Sequence, residues 1–318
     1  MKKNYFLNIA YVWISYLVFR ISKKSFKGTN NALVNIYSLD NGIFKEKLHK
    51  LISYKILKSF NESIDVSSPV KDLNENGYHV FENKLEENIV LELFDLGSKL
   101  KCNDGRNFIQ FDPENLTAVR YNFDKQDLIN NKIVQDLIMD NYLIKTVREY
   151  FQSKPIFDLP AMWWSTPFQK TASSEAAQLY HYDMERAKWL KIFFYLTDVD
   201  DNNGPHYYIQ GSHKINSKPS SLLSKGYERI SDNEIRKFYK PNDFKVIKGE
   251  RGTFFAGDTL CWHKGKNLKN NNRLVLELNY TSSLFGYNHK KMIVKNTTKK
   301  FKLFCSKNPV YTKNILIE

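Results

Sequence analysis

The stretch Gln178–Asp200, QLYHYDMERAKWLKIFFYLTDVD, sets His181 and Asp183 two residues apart and then runs into an aromatic, β-branched segment. In an extended chain residues i and i+2 point to one face with Cα atoms about 6.5 to 7 Å apart, so one imidazole and one carboxylate can grip a single ion side by side. Downstream, GDTLCWHKGKNLKNNNRLVLELNY (Gly257–Tyr280) supplies His263, 80 residues after Asp183, and Arg273 ten residues later. A second imidazole from a neighbouring strand would complete two histidines and one carboxylate on one face of an octahedral ion. That set leaves positions open for other ligands, as in non-haem Fe(II) oxygenases. A lone His-x-Asp pair is more often a hydrogen-bonded pair with no metal; four positions in register strengthen the metal reading.

The surroundings of the pattern are β-rich. From Ile156 onward PAMWWSTPF, LKIFFYLTDV, FKVI, GTFFAGDTLCWH and RLVLELNYTSS are short apolar segments divided by turns, which predicts an antiparallel sandwich or barrel. His263 closes TFFAGDTLCW, with Gly257 and Asp258 expected to bend the chain just before its end. Arg273 starts the next strand after the polar loop KGKNLKNNN, where a guanidinium can point inward. Upstream, residues 1–70 read as a helical extension interrupted at KGTNN and SLDNG. Tyr78, Val80 and Phe81 predict a short strand and Leu85 to Leu100 a helix. Ile133, Leu137, Leu143, Ile144 and Val147 predict one helix from Lys132 to Phe151. The resulting division is an extension (1–70), a β domain (71–289) and a C-terminal tail or peripheral strand (290–318).

Composition excludes less than it suggests. The formal charge is +14 over 318 residues, but the lysines are spread along the chain rather than clustered with aromatics. A nucleic-acid-binding face would be a concentrated patch, so the charge reads as a compositional bias, and an anionic small-molecule substrate fits it equally well. Three cysteines without metal-binding spacing point to a reducing compartment. The opening MKKNYFLNIAYVWISYLVFRISKKSFKG has an apolar run from Tyr5 to Phe19, interrupted by Asn8 and Ser15. It is shorter than the roughly 18 to 20 residues that span a bilayer, and no small-x-small cleavage site follows. A buried or interfacial helix is the first expectation, a helix lying on a membrane the second and a span the third; a cytoplasmic location is the default. Oligomeric state leaves no signal.

With these residues in hand, the chain resembles the phytanoyl-CoA dioxygenase family of Fe(II)/2-oxoglutarate oxygenases. Tyr195–Lys214, YLTDVDDNNGPHYYIQGSHK, looks like that family's strand, acidic turn, Asn-Gly-Pro turn and Pro-Gly-Ser-His segment, with Gln210 where the family usually has proline. Asn76–Leu100, NGYHVFENKLEENIVLELFDLGSKL, resembles its first strand and helix. The likeness covers about residues 70 to 285. It implies a mainly β fold with flanking helices around a double-stranded β-helix (jelly roll, cupin-like). It also implies Fe(II) on His181, Asp183 and His263, with 2-oxoglutarate and O2 as cosubstrates. Arg273 suits the far carboxylate of 2-oxoglutarate, because its planar fork donates two parallel hydrogen bonds. Gln178 resembles a polar position near the cosubstrate in some members; Lys191 and Tyr195 share one strand face and are weaker candidates.

The implied reaction is oxidative decarboxylation of 2-oxoglutarate to succinate and CO2, coupled to hydroxylation of an aliphatic C–H. Related halogenases lack the carboxylate that Asp183 supplies, which favours hydroxylation, with desaturation or cyclisation left open. Other readings stand beside these. Arg273 could form a surface ion pair. His206 and His213 could support loops, and Cys261 could be a small buried thiol. Trp163 and Trp164 could shape a cavity or pack in the core. A nucleic-acid demethylase of the same superfamily is disfavoured by Asn279, where such enzymes carry a second arginine. A non-catalytic jelly roll that binds a ligand is the alternative from another class.

Overall fold

The computed structural model describes residues 4–56 and 64–318. In chain order its strands are β1 (Tyr78–Val80), β2 (Lys101–Asn103), β3 (Phe108–Gln110), β4 (Arg120–Phe123), β5 (Ile156–Ser165), β6 (Trp189–Tyr195), β7 (His206–Ile209), β8 (Phe244–Ile247), β9 (Phe254–Asp258), β10 (His263–Gly265), β11 (Arg273–Thr281), β12 (Met292–Val294) and β13 (Ile315–Ile317). Eight of them form one antiparallel sheet in the order β1-β9-β6-β11-β5-β4-β2-β3, and β10-β7-β8 form a second. This is the jelly-roll core with flanking helices that the sequence predicts.

Period-2 alternation decides what faces the space between the sheets. On β6 and β11, Phe193, Tyr195 and Val275 point inward, where they meet Trp163, Phe255, Tyr208 and Ile247. Leu190, Ile192, Phe194, Leu274, Leu276 and Leu278 point outward into a core shared with the helices Glu87–Lys99 and Asn141–Phe151. Both faces of the large sheet are covered, which is why its strands read as continuous apolar runs. Pairing of Val275 with Tyr195 and of Glu277 with Phe193 fixes the register that brings Lys191, Arg273 and Glu277 to the inner side. Gly97 lets its helix lie close to the sheet: a Cβ there would stand 2.6 Å from Leu274 and 2.8 Å from Met162.

Two expectations change. The helix foreseen over Lys132–Phe151 is two helices, Lys132–Ile138 and Asn141–Phe151. Asp140 restarts the chain by accepting a hydrogen bond from the Leu143 amide at 2.9 Å. Gly257 and Asp258 do not bend before the strand's end but belong to β9, and the turn follows them, closed by the Leu260 amide donating to Asp258 Oδ1 at 2.9 Å. Residues 290–318 hold peripheral strands, the parallel pair β12 and β13, and between them a helix, Lys299–Lys307, which Thr298 caps and which buries Phe301 in the main core.

Residues 4–52 carry three helices, α1 (Tyr5–Ser22), α2 (Thr29–Asp40) and α3 (Ile43–Ile52). The break after α2 falls where SLDNG predicts it, with Asn41 and Gly42 both at positive φ. The earlier break, residues 23–28, takes in Lys27 and Gly28 of KGTNN, and the helix resumes at Thr29. Leu33, Ile36, Tyr37, Phe44 and Leu48 of α2 and α3 share a core with Tyr180, Tyr182, Met184 and Trp262. This layer therefore packs behind the two segments that carry the candidate metal ligands.

His49 fastens α3 to the domain. Its Nε2–H donates to the Phe151 carbonyl at 3.2 Å, and its Nδ1 lies 2.8 Å from the Ser282 hydroxyl. Burial pushes this imidazole down to about 4, and His213 is lowered by burial to about 4 as well. Between about pH 4 and 6.5 the unfolded chain therefore binds protons that the folded chain does not, so stability falls as pH drops through that window. Thermal unfolding should show a midpoint that declines from pH 7 to pH 4.5, with a shallower decline in His49→Gln. Equal slopes for the two proteins would remove His49 from this account.

Candidate active site

Residues 179–183 and 259–263 run antiparallel. The His181 amide donates to the His263 carbonyl at 3.0 Å, the His263 amide returns a bond to His181 at 2.8 Å, and the Asp183 amide donates to Thr259 at 2.8 Å. Tyr180, Tyr182 and Trp262 alternate with the candidate ligand residues and face the core they share with α2 and α3, so His181, Asp183 and His263 face the other way. Their candidate ligand atoms all lie within 4.8 Å of one another and could hold a metal ion.

The protonation states suit a cation. His181 Nδ1 stands 2.9 Å from the Leu179 carbonyl and His263 Nδ1 2.9 Å from the Cys261 carbonyl. A carbonyl only accepts, so each Nδ1 carries the proton and each Nε2 presents a bare lone pair. Burial, reinforced by the neighbouring His263, holds His181 well below the usual histidine range, and burial also lowers His263. Burial pushes the Asp183 carboxyl up, but the Lys191 ammonium 3.0 Å away outweighs it and keeps it ionised. His181 Nε2 lies 3.9 Å from Asp183 Oδ1, and His263 Nε2 lies 3.7 Å from Oδ2. Three sets of acceptors thus converge with no proton between them, a repulsive arrangement that a cation relieves.

Beside these atoms is a cavity of about 100 Å³, lined among others by His181, His263, Lys191, Trp163, Arg273 and Glu277. Arg273 is 3% exposed. Its Nη2 donates to Ser165 Oγ at 3.2 Å, while the buried Nε and Nη1 have no acceptor among the described residues. Burial lowers it to about 10, still charged at neutral pH. A buried guanidinium short of acceptors is costly on its own and suits a carboxylate from outside the chain. Lys191 Nζ bridges Asp183 Oδ2 at 3.0 Å and Glu277 Oε1 at 3.5 Å. Arg120 stacks its guanidinium 4.0 Å over the Trp163 ring.

Residues 73–273 match the phytanoyl-CoA dioxygenase (PhyH) family, well over half of the chain. The chain belongs to the phytanoyl-CoA dioxygenase family. It is accordingly a non-haem Fe(II)/2-oxoglutarate-dependent oxygenase with O2 as second cosubstrate, and the three-acceptor cluster and acceptor-poor arginine fit that cofactor set. No curated protein sequence matches it. Among solved structures it is similar to HygX from Streptomyces hygroscopicus with nickel and 2-oxoglutarate bound, at 15% identity and TM-score 0.53, covering 75% of this chain and 94% of that one. HygX with nickel, 2-oxoglutarate and hygromycin B bound gives 13% identity and TM-score 0.51 over the same shares. Apo EctD from S. alaskensis gives 14% identity and TM-score 0.50, covering 75% of this chain and 84% of that one. At these identities the likeness speaks for the fold.

The other candidates take different positions. Gln178 is buried, but its amide oxygen accepts from the Ser173 amide at 2.8 Å; Ala176 and Ala177 beside it line the cavity. Tyr195 donates to the Ile247 carbonyl at 2.9 Å and lies 3.0 Å from His206 on β7, which also lines the cavity. Cys261 is a buried thiol pushed up to about 12 by burial, 3.5 Å from His213. The two tryptophans divide the roles considered for them: Trp163 lines the cavity and Trp164 packs in the helix-side core. Sequence reasoning missed Glu277, Tyr227 and Arg229. Tyr227 brings its hydroxyl 3.5 Å from Asp183 Oδ1. Arg229 adjoins Ile230, which pairs with Tyr180, and holds a buried Nη1 without acceptor, its charge felt at both imidazoles. A glutamate inside RLVLELNY, in phase with Arg273, was a usable signal; nothing local marks Arg229.

Proposed function

We propose that the chain hydroxylates an aliphatic C–H of a small molecule, with His181, Asp183 and His263 as iron ligands and Arg273 as the anchor for the far carboxylate of 2-oxoglutarate. The convergence of three deprotonated ligand groups beside a buried guanidinium short of acceptors carries this reading. Iron with its cosubstrates supplies the oxidising power, releasing succinate and CO2. The chain's own residues bind, orient and exclude water. The Leu179 and Cys261 carbonyls hold both imidazoles in the ligating tautomer, and α2 and α3 brace them from behind. Glu277 shares the Lys191 charge, leaving more of the Asp183 charge for the metal. The unpartnered Nη1 of Arg229 suits an acceptor or anionic group on the substrate. HygX, bound to hygromycin B, shows the fold beside a small molecule in another protein.

The test is succinate formation from 2-oxoglutarate that requires added Fe(II), together with an anaerobic change in the iron absorption spectrum when 2-oxoglutarate is added. Iron-loaded protein that shows neither would end the proposal. Once a substrate is found, Arg229→Gln should raise its KM; an unchanged KM would dismiss Arg229 as a contact. Glu277→Gln removes no ligand, yet it leaves Lys191 to Asp183 alone and should weaken Fe(II) binding about 10- to 100-fold, measurable by anaerobic titration. Unaltered affinity would show that the Lys191–Glu277 pair does not tune the metal.

A further inference from the structure

Helix α1 turns one side to the protein and leaves the other without a partner. Val12 and Ser15 are buried; Trp13 packs edge-on against Phe44, and Tyr16 and Phe19 against Phe285. On the outward side Phe6, Leu7, Ile14, Leu17 and Ile21 are 79, 67, 55, 62 and 87% exposed. Residues 7, 14, 17, 18 and 21 recur at three- and four-residue multiples, so they form one continuous apolar stripe. Contiguous apolar surface of this kind marks an interaction face rather than ordinary solvent contact.

The charges around the stripe say what covers it. Arg20, Lys23, Lys24 and Lys27 stand at its C-terminal end, and no acidic residue precedes Asp40 in the sequence. Next to that end lies a groove of about 400 Å³, lined among others by Phe19, Leu51, Tyr54, Arg20, Lys23 and Lys313. Leu51 is itself 66% exposed. Asp40 lies against the other end of the helix, where it accepts from the Tyr5 hydroxyl at 3.0 Å. An apolar stripe with cations at its C-terminal end complements acyl chains beneath anionic headgroups. Pairing two copies in parallel through the stripe would bring two sets of cations together, and an antiparallel pair would supply no anion to either set.

The helix is long and apolar enough to cross a bilayer by length and composition. Its inner face is committed elsewhere. Ser15 Oγ is 2.6 Å from Thr29 Oγ1 and accepts from the Phe26 amide at 3.0 Å, while Ser25 bonds Asn288 at 2.9 Å and Gly286 at 3.0 Å. A span would have to break this hairpin from the catalytic domain. We propose that α1 lies in the surface of an anionic phospholipid membrane, with Leu7, Ile14, Leu17 and Ile21 immersed and Arg20, Lys23, Lys24 and Lys27 at the headgroups. This goes beyond the oxygenase chemistry and does not depend on it.

The test is co-sedimentation of the full chain with vesicles of phosphatidylcholine alone or mixed with phosphatidylglycerol. Binding is expected to the mixed vesicles only and to weaken with salt. Leu7→Glu/Leu17→Glu/Ile21→Glu should abolish it while leaving the thermal midpoint and iron-dependent succinate formation in solution unchanged. Lys23→Glu/Lys24→Glu should weaken it about 25-fold or more, at about fivefold per basic residue near the surface. No binding to the mixed vesicles, or binding unaltered by the triple substitution, would overturn the proposal. So would a wild-type dimer in lipid-free solution that the triple substitution makes monomeric, since the stripe would then join copies of the chain.

Discussion

Arg273→Met is expected to raise the dissociation constant for 2-oxoglutarate roughly 10²- to 10³-fold, and without 2-oxoglutarate to leave the protein as stable as the wild type or more so. The affinity loss follows from removing one partner of a buried, hydrogen-bonded charge pair, which typically costs about 2–5 kcal/mol. The stability gain follows from the state of the guanidinium itself: only Nη2 finds an acceptor, on Ser165, while buried Nε and Nη1 find none. Methionine of similar length keeps the packing and removes that desolvation penalty. Thermal unfolding separates the readings. Saturating 2-oxoglutarate should raise the wild-type midpoint, by the equivalent of about 2.7 kcal/mol at a hundredfold excess over Kd, and should leave the variant unmoved. If Arg273 served only to tie β11 to Ser165, the variant would lose stability and keep its response to 2-oxoglutarate. Arg273→Lys, a point charge without the fork, should fall between the two.

What could be read from residues alone follows the range over which each signal acts. His181 with Asp183, and Arg273 with Glu277, lie on single segments where period-2 geometry puts them on one face, so their shared direction is local information. Adding His263 needed the assumption that strands far apart in sequence meet, and the reciprocal amide bonds between His181 and His263 are that meeting. The split at Asp140 was missed although its cause is local: a capping aspartate that an apolar stripe hides. Other parts had no local trace. Tyr37 reaches Tyr182 with ring centroids 5.4 Å apart, so the N-terminal helices back the ligand segment, but nothing in either sequence stretch names the other. Lys191 could be placed on the inner face of β6, yet its position between Asp183 and Glu277 depends on strand register. Arg229 arrives on an irregular segment whose path only tertiary packing sets.

Asp183→Asn is expected to weaken Fe(II) binding by more than 10²-fold and to reduce iron-dependent succinate formation to background, because a neutral amide oxygen replaces the one anionic ligand in the set. Its effect without metal should run the other way. In the wild type the bare Nε2 atoms of His181 and His263 stand 3.9 and 3.7 Å from the Asp183 oxygens, acceptor facing acceptor, and Lys191 supplies a compensating charge at 3.0 Å. An asparagine amide can donate to one of those lone pairs, and Lys191 keeps Glu277 as its partner at 3.5 Å. The metal-free variant should therefore unfold at a higher temperature than metal-free wild type, while losing the rise that Fe(II) confers. A structural His-carboxylate pair would behave oppositely: replacing the charged acceptor of a working hydrogen bond would lower the metal-free midpoint, and added Fe(II) would move neither protein. Anaerobic thermal scans of both proteins with and without Fe(II) distinguish the two cases before any substrate is known.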